Sequence, residues 1–202
     1  MVKRWINNAA KKRLKEQRTK HQVPSTKDQV QRPAFSNLRM SKVYVGLGSN
    51  LGDRPGNLLL AIRGMLDAGL AINRLSSVFE TAPVETFPQP AFLNMVAEMS
   101  SHAPPPPEQM LARLLRVEYS LGRTRETPMA PRTIDLDLLL YRDMISETEF
   151  LTLPHPRLHL RRFVLTPLAE LAPNLVHPTL NKTIRDLLQA VGDSSSVKLW
   201  RP

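Results

Sequence analysis

The chain of 202 residues contains no cysteine, so it can form no disulfide bond and no metal site with thiolate ligands. It also lacks an uninterrupted apolar run of about 18 residues, the length that a transmembrane helix requires. Its N-terminus lacks the apolar segment of a secretory signal peptide. We therefore expect a cytoplasmic protein with no membrane partner, and a chain of this length suits one domain with a tail.

The net charge of +10 is confined to the N-terminal part of the chain. Residues 1–42 hold 12 Lys or Arg and 2 Asp or Glu, whereas basic and acidic residues balance in the remainder. Residues 1–41 are polar and lack apolar periodicity, so we predict a disordered basic extension there and a domain over residues 42–202. The extension could contact RNA or a membrane surface, and an organelle presequence is a weaker alternative because serine is scarce. A run of charge is more often simply solvated, and a neutral domain makes nucleic acid an unfavoured partner.

Strand-like and helix-like patterns alternate along residues 42–202. The alternation predicts strands at 43–48, 75–81, 92–101, 133–141 and 197–200, with the first ending in a glycine turn. Helical spacing appears at 57–66, after the proline run 104–107, at 163–173 and at 181–191. The order predicts an α+β fold, a ferredoxin-like split βαβ domain whose antiparallel sheet carries helices packed on its faces.

Two aspartates interrupt the apolar strand TIDLDLLLY at 133–141. Since successive strand side chains point to opposite faces, Asp135 and Asp137 share one face. Their neighbours on the opposite face would be Ile134, Leu136, Leu138 and Leu140. Two such carboxylates repel each other, and Mg²⁺ would remove the repulsion because it binds one or two carboxylates together with substrate phosphate oxygens. A solvent-facing strand edge with scattered charge is the alternative.

Three arginines lie in the loop GRTRETPMAPR (122–132), which leads into this strand: Arg123, Arg125 and Arg132. Guanidinium groups match phosphate oxygens in bidentate geometry, and arginines beside a metal pair suit phosphoryl transfer. The alternative is a solvated basic loop. Glu118 shares the apolar face of the preceding helix, so we expect a partner for it, which would be a structural arginine, an arginine of this loop or a substrate.

A second basic cluster occurs in LPHPRLHLRRF (153–163), where two histidines and three arginines fall within eight residues. This density suits the binding of a polyphosphate, although surface charge would explain much of it. The glycine-rich stretch GLGSNLGD (46–53) matches neither the P-loop nor the dinucleotide-binding pattern. Its backbone amides could hold a polar ligand, or it could be an ordinary tight turn.

Taken together, these stretches resemble the 6-hydroxymethyl-7,8-dihydropterin pyrophosphokinase family of folate biosynthesis. The resemblance covers about residues 42–200 in family order. The matching stretches are GLGSNLGD (46–53), FETAPV (79–84), FLN (92–94), GRTR (122–125), PRTIDLDLLLY (131–141), LPHPRLHLRRFVLTPLAELAP (153–173) and the terminal helix. The resemblance implies transfer of the β,γ-pyrophosphoryl group of ATP to the pterin hydroxymethyl group, with release of AMP, by a monomer.

The resemblance also implies a role for individual residues. It makes Asp135 and Asp137 the ligands of two Mg²⁺ ions, and Arg123 and Arg132 the catalytic arginines that stabilise transferring charge. Nucleotide binding would involve Arg125, Leu138, Thr152, His155 and Arg161, with Glu118 as an active-site carboxylate. The pterin would contact Thr81, Pro83 and Val84, stack between Phe92 and Phe163, and bond along its edge to Asn94.

Two positions depart from the family pattern. Met129 stands where a tryptophan often covers the pterin, in a loop that is one residue short, and Phe150 stands where an arginine can help to bind nucleotide. A thioether can still cover a ring, although with less contact area. Two other functions compete with this one: another Mg²⁺-dependent nucleotidyl or glycosyl transferase using Asp-x-Asp, and an RNA-binding module led by the basic tail.

Overall fold

The computed structural model describes residues 40–83, 88–123 and 130–201. Its main sheet has six strands: β1 (Ser41–Ser49), β2 (Ile72–Leu75), β3 (Phe79–Thr81), β4 (Phe92–Ser101), β5 (Asp135–Tyr141) and β8 (Val197–Leu199). The spatial order is β5-β1-β4-β3-β8, β2 also pairs with β4, and all pairs are antiparallel. Two very short strands, β6 (Ser146–Glu147) and β7 (Thr152–Leu153), form a separate ribbon.

Among the described residues, four helices cover the two faces of the sheet. They are α1 (Arg54–Asp67), α2 (Pro107–Ser120), α3 (Arg162–Leu171) and α4 (Ile184–Ala190), and a single 3₁₀ turn spans Leu158–Leu160. Buried residues of α1 and α2 pack in one hydrophobic core, and those of α3 and α4 pack in a second core with Tyr44 and Val96. The predicted ferredoxin-like α+β fold, with helices packed on an antiparallel sheet, is confirmed.

Local sequence explains where the helices begin and how they pack. The carboxylate of Asp53 accepts a hydrogen bond from the Gly56 N–H at 3.1 Å and so caps α1. Helix α2 starts at Pro107, where a missing N–H costs nothing. A Cβ added to Gly64 would lie 2.8 Å from Val117, so this glycine permits the close approach of α1 and α2.

The single strand predicted at 75–81 is wrong, because this segment forms two strands. Leu75 pairs with Ala97, and Phe79 pairs with Asn94. The segment from Leu75 to Phe79 is therefore one residue longer than the segment of β4 that it faces. The extra residue breaks the ladder, and Ser76 spans the break by accepting the Val96 N–H and donating its own N–H to the Val96 carbonyl. Both short strands therefore pair with the one long strand β4.

The predicted glycine turn after 43–48 is also wrong, because β1 continues through both glycines to Ser49. The predicted disorder of residues 1–41 falls almost wholly outside the described residues and stays a prediction; β1 begins at Ser41, one residue before the predicted domain boundary. Across the described ranges, no helix combines the length and the apolar character that crossing a bilayer requires.

Candidate active site

A cleft of about 900 Å³ lies on the α3 side of the sheet, above β1, β4 and β5. Two glycines of β1 form part of its floor: Gly46 pairs with Asp137 and Gly48 with Asp135. A Cβ added to Gly48 would lie 3.0 Å from the Asn94 Oδ1. The absence of side chains here leaves space directly beside the two carboxylates. Sequence reasoning missed this role, although the two-residue spacing that the glycines share with the aspartates was a usable signal.

The two aspartates point into this cleft from the same face of β5, as the alternation predicts. Burial and, after it, the nearby charge of Asp135 raise the pKa of Asp137 to about 6, against the opposing charge of Arg161. The nearby arginines therefore compensate the negative charge of Asp137 only in part. Within the described residues no group of three or more His, Cys, Asp or Glu side chains could hold a metal ion alone. Two carboxylates fit Mg²⁺ when substrate phosphate oxygens complete its coordination.

Two arginines converge on Asp135. Arg123 is largely buried and its guanidinium contacts both Glu118 and the Asp135 Oδ1, while Arg132 donates to the Asp135 Oδ2 at 2.9 Å. The buried Glu118 carboxylate also accepts the Leu136 N–H at 2.7 Å, which ties α2 to β5. The expected partner of Glu118 is therefore an arginine of the GRTR loop. The buried Nε of Arg132 has no acceptor among the residues that the structure describes.

Asn50, at the end of β1, connects the two chain segments that border the cleft. Its Oδ1 accepts the Arg132 N–H at 2.8 Å, and its Nδ2 donates to the Gln89 Oε1 at 2.9 Å and the Pro90 carbonyl at 3.2 Å. Only 1% of this residue is exposed. Sequence reasoning gave Asn50 no structural role, because its partners lie 39 or more residues away along the chain.

Both predicted stacking rings line the cleft, and each carries a guanidinium over its face. The Cζ of Arg132 lies 5.6 Å from the Phe92 ring centroid, and that of Arg161 lies 5.4 Å from the Phe163 centroid. Asn94 is buried beside Phe92 and donates to the Thr81 Oγ1 at 2.7 Å. The predicted pterin residues Thr81, Phe92, Asn94 and Phe163 are thus brought to one cleft.

Unlike the predicted pterin contacts, the predicted nucleotide contacts do not all lie in the cleft. Arg161 lines the cleft, whereas Leu138 is only 4% exposed and packs in the core on the α1 and α2 side. Thr152 is exposed on β7, and Phe150 nearby is 80% exposed. Burial and, after it, the charges of Arg161 and Arg157 lower the pKa of His155 to about 4, so this imidazole is neutral at neutral pH.

Four predicted site residues lie at the edge of the described ranges or outside them, and three residues line the cleft without having been predicted. Pro83 is half-buried at the end of a described range. Val84, Arg125 and Met129 lie outside the described residues, so their predicted roles stay predictions. Gly192, Asp193 and Ser194, to which the sequence gave no role, line the cleft beside α3. No local motif marked them, because only the folded chain brings them to the site.

Comparisons with known proteins agree with this geometry. A family model described as 7,8-dihydro-6-hydroxymethylpterin-pyrophosphokinase (HPPK) matches residues 44–173. The 2-amino-4-hydroxy-6-hydroxymethyldihydropteridine pyrophosphokinase of Aquifex aeolicus is 38% identical over 147 residues, which is 73% of this chain and 90% of the relative. Its namesake in Synechocystis is 41% identical over 148 residues, covering 73% of this chain and 74% of the relative.

Some similar proteins are much longer. A solved HPPK-DHPS structure from Plasmodium falciparum aligns with a TM-score of 0.59 and 15% identity, covering 75% of this chain but 43% of that one. This similarity concerns the fold alone. The Pneumocystis carinii folic acid synthesis protein fol1 is 38% identical over 151 residues, which is 75% of this chain and 20% of that protein. By the family model and the full-length relatives, the chain belongs to the 7,8-dihydro-6-hydroxymethylpterin-pyrophosphokinase family.

Proposed function

We infer that the chain transfers pyrophosphate from ATP to 6-hydroxymethyl-7,8-dihydropterin, yielding AMP and the pterin diphosphate in folate biosynthesis. The observation that carries this function is one cleft that combines an aspartate pair, two arginines converging on Asp135, and two aromatic rings. A polyphosphate needs the charged half of this set, and a flat heterocycle needs the aromatic half. The family membership supports the same reaction.

The charged half of the cleft suits a nucleotide triphosphate. Asp135 and Asp137 would hold two Mg²⁺ ions, and Mg²⁺ shields phosphate charge and polarises the phosphoryl oxygens when bound. Arg123 and Arg132 would stabilise the charge that develops on the transferring group, since both already lie within contact distance of Asp135. Arg161, with Arg125, His155 and Thr152, would position the nucleotide, while Glu118 would hold Arg123 in place. The side chain of Leu138 packs in the core on the α1 and α2 side, so it would make no direct contact with the nucleotide.

The aromatic half suits the pterin. Phe92 and Phe163 offer two rings for stacking, and Met129 would cover the pterin from the loop. The Asn94 amide, oriented by its hydrogen bond to Thr81, presents a carbonyl oxygen toward Gly48 and the cleft. Pro83 and Val84 would border the ring. Because Arg132 and Arg161 lie over the two phenylalanines, we expect the entering pterin to displace them toward the phosphates.

We propose that residues 42–202 form the catalytic domain, acting as a monomer in the cytoplasm. The cleft lies within this range, and the matched family region starts at residue 44. A pea relative is named a mitochondrial folate synthesis bifunctional protein, so the location needs a direct test. Fluorescence microscopy of the full chain carrying a C-terminal tag would provide it, and an organellar signal would contradict the proposed location.

The decisive experiment measures AMP. The purified full chain, incubated with ATP, Mg²⁺ and 6-hydroxymethyl-7,8-dihydropterin, should release AMP and form the pterin diphosphate in equal amounts. Asp137→Asn should lower the rate by at least about a hundredfold, because it removes a negatively charged ligand oxygen. A chain shortened to begin at Met40 should retain the activity. Formation of ADP, or of AMP without pterin, would contradict the proposal.

A further inference from the structure

The segment Gly192–Ser195, which we call the C-terminal strap, forms a wall of the cleft although it follows the last helix. Gly192, Asp193 and Ser194 line the cleft together with Arg161 and Phe163. The matched family region ends at residue 173, so the strap lies outside it. The strap therefore brings the Asp193 side chain to the cleft from outside the region that the family model matches.

Asp193 binds the first residue of α3 in two ways. Its Oδ2 accepts the Arg162 backbone N–H at 2.8 Å, and its carbonyl oxygen accepts the Arg162 Nε–H at 2.7 Å. The Oδ1 accepts the Ser195 N–H at 2.8 Å, which fixes the carboxylate within the strap. All three bonds link the strap to itself or to the start of α3.

Helix α3 needs this contact because its own N-cap position cannot supply it. That position is occupied by Arg161, whose side chain contains donors but no acceptor. The first N–H groups of a helix have no partner within the helix and require an acceptor from elsewhere. Asp193 provides one from 31 residues further along the chain, and its negative charge also suits the positive end of the helix dipole.

The contact determines which way the start of α3 faces. Arg162 is held toward the strap, while its two neighbours, Arg161 and Phe163, face the cleft with the guanidinium of one 5.4 Å from the ring centroid of the other. Burial alone would raise the pKa of Asp193, but hydrogen bonds from Ser195 and Arg162 outweigh it, and the net shift of the pKa is downward. The carboxylate is therefore charged at neutral pH.

We propose that Asp193 is a positioning residue: by capping α3 through Arg162, it holds Phe163 and Arg161 in the orientation that receives the substrates. This proposal rests on the proposed function, because it assigns the stacked ring to the pterin. It predicts an effect on substrate affinity rather than on the transfer step, since the bonds of Asp193 go to Arg162 and Ser195 and not to the arginines on Asp135.

The test compares two aspartates that cap helices. Asp193→Ala should raise the KM for the dihydropterin about tenfold while kcat changes less than about twofold, because a loosened cap moves the ring but not the transfer groups. Asp186→Ala is the matched control: Asp186 is exposed, bonds to Thr183 at the start of α4, and should leave both constants unchanged. Asp193→Asn keeps an acceptor oxygen and should restore most of the affinity.

The outcomes distinguish a failure of the proposed reaction from a failure of the proposed role of Asp193. A wild-type chain that forms no AMP contradicts the proposed function itself. An active wild type together with an unchanged pterin KM in Asp193→Ala contradicts only the role of Asp193, as does an equal KM increase in Asp186→Ala. If Asp193→Ala does not fold, Arg162→Pro decides: it removes both bonds that Arg162 makes to Asp193, and proline suits the first position of a helix, so an unchanged KM overturns the proposal.

Discussion

At the scale of single residues, Asn50 has the contacts of a structural link between two parts of the active site. One of its amide atoms binds the Arg132 backbone, and the other binds the segment at Gln89 and Pro90. Both segments adjoin ranges that carry predicted substrate contacts. Because the Asn50 side chain is buried, water cannot replace these bonds without rearrangement.

Asn50→Ala is expected to impair both stability and catalysis. The Arg132 N–H and the Pro90 carbonyl would each lose a partner, and one unsatisfied buried group costs about 1–3 kcal/mol. We expect the free energy of unfolding to fall by about 2 kcal/mol, and kcat/KM by more than about tenfold as Arg132 becomes less well positioned. Urea unfolding and steady-state AMP formation measure the two quantities.

Asn50→Asp distinguishes the bond that Asn50 accepts from Arg132 from the bonds that it donates to Gln89 and Pro90. A carboxylate can still accept the Arg132 N–H, but it has no N–H to donate to Gln89 or Pro90. Amide hydrogen exchange should therefore accelerate at Gln89 and Ala91, the residues of this segment that carry a backbone N–H, and remain slow at Arg132. Equal acceleration in both segments would show that Asn50 does not hold them separately.

At the scale of secondary-structure elements, the strand that carries the two aspartates, β5, contains an irregularity beyond them. Val45 pairs with Leu138 and Tyr44 with Leu140, so Leu139 is an extra residue. The predicted alternation is correct for Ile134, Leu136 and Leu138, which pack on the α1 and α2 side, but wrong for Leu140, which packs with α3 and α4. A β-bulge reverses the facing of every residue beyond it, and the sequence of one strand does not reveal where its partner shifts register.

The parts of the site that could be predicted are those encoded within one segment. Asp135 and Asp137 share a face because strand periodicity dictates it, and Arg132 precedes Asp135 by three residues. Asn50 and Asp193 could not be predicted, because their importance comes from partners 31 to 82 residues distant. The α+β fold followed from the order of elements, whereas the division of 75–81 depended on the length of the opposing strand β4.

The two glycines of β1 give a prediction at this scale. Gly48→Ala should weaken pterin binding by at least about tenfold, because its Cβ would lie 3.0 Å from the Asn94 Oδ1 and shift the amide that Thr81 holds. The stability should change little, since alanine suits a strand at least as well as glycine. Titration with the fluorescent oxidised hydroxymethylpterin measures the binding.

Gly46→Ala is the matched control on the same strand and the same face. Its added Cβ would lie 3.5 Å from the nearest atom of Leu139, an ordinary van der Waals distance. Pterin binding should therefore remain within about threefold of the wild type. A loss of binding as large as that of Gly48→Ala would mean that any methyl group on the cleft floor is harmful, and that Asn94 is not the sensitive partner.

At the scale of the whole molecule, the charges around the cleft make the stability of the fold depend on pH. Arg161 acts on Asp135 and Asp137, and Arg157 and Arg161 both act on His155. A group whose pKa differs between the folded and unfolded chain makes the free energy of unfolding depend on pH. The cleft therefore contributes to the pH range in which the whole domain is stable.

His155 provides the clearest case. Burial, followed by the charges of Arg161 and Arg157, lowers its pKa from 6.5 to about 4 in the folded protein. Its Nδ1 accepts the Arg157 N–H at 3.2 Å, a bond that protonation of this nitrogen would remove. As pH falls, the unfolded chain takes up the proton first. The stability that neutral His155 contributes is therefore complete above the unfolded pKa and is lost progressively as pH falls toward 4.

His155→Asn tests this linkage, because the Asn side chain can still accept the Arg157 N–H but does not titrate. Between about pH 7.5 and pH 4.5, the wild type should lose about 2 kcal/mol more of its free energy of unfolding than the variant does. Urea unfolding at both pH values measures the difference, and His102→Asn, at an exposed position, should behave as the wild type. An equal loss in wild type and His155→Asn would mean that the folded protein accepts a proton on His155 as readily as the unfolded chain does.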